Sequence, residues 1–135
     1  DAKQVAAAAI SAERTSQQSR LTRRLDDAKA AVITRTSSYR SASRSYRSAR
    51  KSFSKAKKRF RAMKKKYGKR SKQYRKALAA YRKSLKRMRA KTSTFRSERS
   101  KYRAARVERN NAQSAMTSSA SNWTAMANAA TMLTN

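Results

Sequence analysis

Lysine and arginine are the side chains that this sequence offers in quantity for chemistry. There are 37 of them against six Asp and Glu, with no His and no Cys, giving a formal net charge of +31. Their spacing is as informative as their number. Arg40, Arg47, Arg61, Arg75, Arg82, Arg89, Arg96 and Arg103 all fall on one phase of seven. Seven helical residues advance about 10.5 Å, so a helix there would carry a guanidinium stripe of that repeat. Guanidinium groups pair with phosphate and carboxylate oxygens through two parallel hydrogen bonds, and lysine adds a mobile point charge. Lys57, Lys58, Lys64, Lys65, Lys72, Lys76, Lys83 and Lys86 spread that charge over the remaining faces. The expected chemistry is the holding of a polyanion, with nucleic acid the foremost candidate. Each neutralised phosphate releases counterions, so such binding would ignore base sequence and weaken steeply with salt.

Catalysis has little to work with. Acid–base, nucleophilic or metal chemistry needs convergent carboxylates, imidazoles or thiolates, and six carboxylates scattered over 135 residues do not supply them. Asp26 and Asp27 read as solvated surface rather than as a metal or acid–base pair. Serines abound without a base to activate them, and a single glycine excludes a phosphate-cradling glycine loop. No catalytic residue, metal ligand or cofactor is assigned, and the chain is not expected to be an enzyme.

The elements that must position the cations are marked by the aromatic residues. Tyr39, Tyr46, Phe53, Phe60, Tyr67, Tyr74, Tyr81, Phe95, Tyr102 and Trp123 are all ten rings of the chain, and all fall on one phase of seven. Random placement would do this roughly once in seven to the ninth power, so the repeat is real. Met88 and Met116 occupy two of the remaining places, and Val32 and Leu25 extend the series backwards. Three residues further on stand mostly small or apolar side chains: Ala28, Ala42, Ala49, Ala56, Met63, Ala77, Ala105 and Ala112. A large ring at a with alanine at d predicts an all-α fold, a long heptad-repeat helix of coiled-coil type. The series from Tyr39 to Tyr102, with Met116 and Trp123, is the expected assembly seam of a homo-oligomer or helical assembly. Rings at a with Ala at d lie outside the rules that fix strand number and direction.

With one Gly and no Pro, tight turns are scarce. Gly68 is the one candidate hinge. Because the ring phase runs from Tyr67 to Tyr74 unbroken, a continuous helix is favoured over a hairpin bent at Gly68. From Leu25 to Tyr102 it would be a rod on the order of 120 Å long.

Charge divides the chain into three stretches. Residues 1–34 form an Ala-rich, near-neutral helix with six basic and four acidic side chains. Residues 35–109 form the strongly basic heptad helix, with the other 31 basic residues against Glu98 and Glu108, a net +29. Residues 110–135 hold no charged side chain and read as an uncharged Ala/Ser/Thr/Met helical tail, with Asn110-Asn111 as a plausible break. Within residues 36–54 the Ser/Arg run reads as polar helix surface, and phosphorylation there would cancel charge. Asn122-Trp123-Thr124 matches a glycosylation acceptor, meaningful in a secreted chain. The first residue, Asp1, is not Met, which fits a processed or a trimmed terminus.

The leading expectation is a structural, architectural protein that oligomerises through the aromatic seam and binds or condenses nucleic acid or another polyanion. A self-assembling helical filament or secreted fibre subunit is the alternative. A basic protein acting at a membrane surface or egg coat ranks third, because the apolar stripe is narrow. A virion, nucleoid or chromatin, or extracellular setting is compatible with these readings.

Overall fold

Good helix formers fill this chain, no proline interrupts it, and a seven-residue stripe gives its helices one face to bury. The computed structural model describes residues 1–134 as two helices and, among them, no strand. Helix α1 runs Ala2–Tyr67 and α2 runs Lys72–Thr134. They meet at a break around residues 68–71, so the fold is all-α and hairpin-like. The continuous helix favoured by the unbroken ring phase is therefore corrected to the bent alternative.

Both sides of the break are capped by local chemistry. Gly68 has φ 80°, a left-handed conformation that costs a residue with a Cβ roughly 1–2 kcal/mol. Its N–H donates to the Lys64 carbonyl at 3.0 Å, closing the last turn of α1 in the manner of a glycine C-cap. Lys64, Lys65 and Lys66 place positive charge on that carbonyl-rich end. Ser71 starts α2. Its hydroxyl donates to the Gly68 carbonyl at 2.8 Å and accepts from the Tyr74 N–H at 3.1 Å, satisfying one of the unpaired donors of the new helix.

The chain forms two compact units. Unit 2 comprises Arg35–Tyr102 and contains the break. There the helices run antiparallel, and the rings of one helix interleave with those of the other. Phe60 lies between Tyr74 and Tyr81, Tyr39 between Phe95 and Tyr102, with Phe53–Tyr81 and Tyr46–Phe95 continuing the series. Ring centroids are 5.0 to 5.6 Å apart, within the range of favourable aromatic pairs. This explains why the phase survives the turn. The seven-residue step from Tyr67 to Tyr74 sets the half-repeat stagger on which the interleaving depends.

The same register lines several rings up with a small partner: Phe95 with Ala42, Tyr81 with Ala56, Phe60 with Ala77. Ala42, Ala49 and Ala77 are buried, so alanine at the second seam position makes the room that rings need. The flanks follow a related rule. Arg50 and Lys57 are lined up with Leu85 and Leu78, Arg59 with Ala80, and Arg87 with Ser52. Among the described residues, no flanking cation of unit 2 is set opposite another across the seam. In a block this basic, that arrangement removes the closest like-charge pairs.

Unit 1 comprises Asp1–Thr34 and the chain from Arg103 onward. Its core is Leu25, Ala28 and Ala112 with Met116 packed against them. Polar links between the helices supplement that small core. Arg24 Nε donates to Glu108 Oε1 at 2.8 Å, and Gln17 Oε1 accepts from Trp123 Nε1 at 2.8 Å and from Ser119 Oγ at 3.3 Å.

Candidate functional site

Every residue expected to hold a polyanion lies on a helix, and burial separates them sharply from the rings. Arg40, Arg47, Lys58, Arg61, Lys64, Lys65, Lys72, Arg75, Lys76, Arg82, Lys83, Lys86, Arg89, Arg96 and Arg103 are exposed, and Lys57 is half-buried. Lys57 stands on the flank lined up with Leu78 and Leu85, both themselves half-buried. A lysine stem can cover apolar surface while its ammonium stays in water. All but Arg103 belong to unit 2.

The rings of unit 2 turn into the seam between α1 and α2, where they pack on each other. Tyr39, Tyr46, Phe53, Phe60, Tyr74, Tyr81, Phe95 and Tyr102 all enter pairs, and the register sets Met88 between Tyr46 and Phe53 opposite buried Ala49. Tyr67, at the turn, is exposed, with the Lys66 ammonium 5.3 Å from its ring centre. Met116 packs in the core of unit 1. Trp123 lies in the same unit, its indole N–H on Gln17 and the Arg14 guanidinium 5.6 Å from the ring centre. The rings thus pair within one chain.

Unit 2 has 28 basic residues and one carboxylate, Glu98, so its own ion pairs cannot neutralise it. Glu98 occupies the second seam position, where Ala42, Ala49, Ala56 and Ala77 stand in other repeats. Its Oε1 takes Lys101 Nζ at 3.5 Å, while buried Oε2 has no hydrogen-bond partner. A shallow groove beside it is lined by Ser38, Ser41, Ser45, Lys91 and Thr94. The sequence reading passed over this interruption. The signal was legible: Lys91 and Glu98 break the alanine phase in consecutive repeats.

Among the described residues no three His, Cys, Asp or Glu converge as a metal site, and no helix is long and apolar enough to cross a membrane. The Arg24 guanidinium, through its hydrogen bond, holds the Glu108 carboxyl below its ordinary value of 4.5. Compared with protein-family models, curated proteins and solved structures, the chain matches none.

Proposed function

We propose that this chain is an architectural protein that binds and condenses a polyanion, foremost nucleic acid, without reading its base sequence. The observation that carries the proposal is the separation of roles in unit 2. Cations crowd the exposed faces, and the rings are spent on the seam. Base stacking on single strands needs aromatic faces open to the ligand, and the paired rings of unit 2 do not offer them. Phosphate contact through Arg and Lys needs only the exposed faces. The expected ligand is therefore gripped by its backbone, with counterion release as the main driving term.

The test is the salt dependence of binding to two nucleic-acid duplexes of unrelated sequence. Both should bind with similar affinity and a steep slope of log affinity against log salt. Replacing Arg82 and Arg89 by Gln should flatten that slope by about 0.9 per lost phosphate contact. A slope untouched by these and by further Arg-to-Gln changes would sink the proposal.

A further inference from the structure

Among the described residues, seven of the eight large apolar side chains that stand exposed belong to unit 1: Val5, Ile10, Ile33, Val107, Met126, Met132 and Leu133. Five of them cluster at the open helix ends, where Val5, Ile10, Met126, Met132 and Leu133 are 54 to 88% exposed. Residues 1–16 and residues 124–133 are all exposed, with no side chain buried or half-buried. Helices depend on packing of an apolar face for most of their stability, and here that face lacks cover. The reason lies in the seam. Toward this end its positions fall to Ala7, Ser11, Arg14 and Gln18, too small or too polar to close on Met126, Ala127 and Ala130. An open groove of about 370 Å³ remains, lined by Ile10, Trp123 and Met126 among others.

We propose that this end of unit 1 is a self-association surface that docks on the same surface of a second copy. Charge selects the occupant. A polyanion finds nothing to hold between residues 110 and 135, which carry no charge. A strongly basic or acidic partner finds little better in residues 1–34, with six basic and four acidic side chains. That near balance suits a twofold contact, which requires a surface complementary to itself. Unit 2 repels its counterpart in another copy, so unit 1 is where two copies can meet at least electrostatic cost. Two joined copies carry two basic units, which, if the polyanion reading holds, lets one dimer bridge two segments of ligand.

The experiment is sedimentation equilibrium on the full chain, stripped of nucleic acid, in about 0.5 M salt, where the Debye length is roughly 4 Å. The average mass should double with rising protein concentration. The double variant Ile10→Gln, Met126→Gln should weaken association by about tenfold or more at unchanged helicity, and Met132→Gln, Leu133→Gln should do the same. The Arg82→Gln, Arg89→Gln variant should dimerise like the parent. Its altered salt slope reports on the polyanion reading separately. A chain that stays monomeric throughout, or Gln variants that associate as tightly as the parent, would overturn the proposal. A monomer that instead floats with neutral phosphatidylcholine vesicles would overturn it too, assigning the patch to lipid.

Discussion

Units 1 and 2 are nearly equal in length and differ most in charge. Unit 2 carries 28 basic residues and one acidic, a net +27. Unit 1 carries six basic and four acidic residues before Thr34 and three basic and one acidic after Tyr102, a net +4. The way each holds its two helices together follows from this. Unit 2 cannot use carboxylates as glue, because it has only Glu98. It relies on interleaved rings, several of them lined up with alanine, and on flanks that keep cations apart. Unit 1 manages with a core of Leu25, Ala28, Ala112 and Met116, and adds Arg24–Glu108 and the Gln17 bonds to Trp123 and Ser119. A highly charged helix pair needs a stronger apolar seam than a neutral one. That is the lesson of the heptad rings.

The sharpest way to break this contrast is to remove a ring from the middle of the zipper. Phe60 packs against both Tyr74 and Tyr81, and Phe60→Ala should cost about 2–3 kcal/mol, less than full burial would give. Tyr67→Ala, at an exposed ring, should cost well under 1 kcal/mol. Urea midpoints with a common slope would measure both. Equal losses at the two positions would contradict the zipper. Next in size is the effect of salt on the unmodified protein. Raising salt from about 0.01 to 0.5 M shortens the Debye length from about 30 Å to about 4 Å, and should raise the thermal midpoint by roughly 5 °C or more. A midpoint indifferent to salt would show that self-repulsion in unit 2 is not a significant cost.

Much of this was legible in one dimension. The heptad phase named the buried positions: among the described residues all six buried apolar ones, Leu25, Ala28, Ala42, Ala49, Ala77 and Ala112, stand at its two seam positions. The all-α class followed from the same repeat. Direction was not legible from phase alone. A ring every seventh residue serves a continuous rod and an antiparallel pair equally, since either needs only one stripe per helix. The deciding signals were local and weaker, namely three lysines and Tyr67 before Gly68, then Ser71 three residues ahead of Tyr74. Those are a C-cap and an N-cap. The exposed apolar cluster at the ends of unit 1 was harder to foresee. Met126 and Leu133 keep the seam phase, and only the small and polar side chains opposite them leave them uncovered.

The caps themselves give the next prediction. A Cβ added at Gly68 would meet nothing within 4 Å, so the cost of Gly68→Ala is the positive φ alone, about 1 kcal/mol. Ser71→Ala removes the hydroxyl that accepts the Tyr74 N–H and should cost about the same. Both losses should appear in chemical denaturation with rings and charges untouched. If Gly68→Ala were neutral or stabilising, the chain would be tolerating a continuous helix after all.

The smallest expected effect separates the units by pH. Arg24 holds the Glu108 carboxyl below 4.5 through a hydrogen bond between half-exposed groups. A carboxylate whose folded value is depressed contributes stability that is present above the unfolded value. That contribution fades as pH falls through the folded one. The difference in urea midpoint between the parent and Glu108→Gln should therefore exist near neutrality, begin to close below about pH 4.5, and vanish once both states are protonated. Arg24 remains charged throughout, so Glu108 alone sets the window. Phe60→Ala should show no such closure, because its loss is apolar. A Glu108→Gln deficit that persists unchanged well below the window would mean that the neutral carboxyl bonds Arg24 as well as the anion does. Charge would then not be what distinguishes the cross-links of unit 1 from the rings of unit 2.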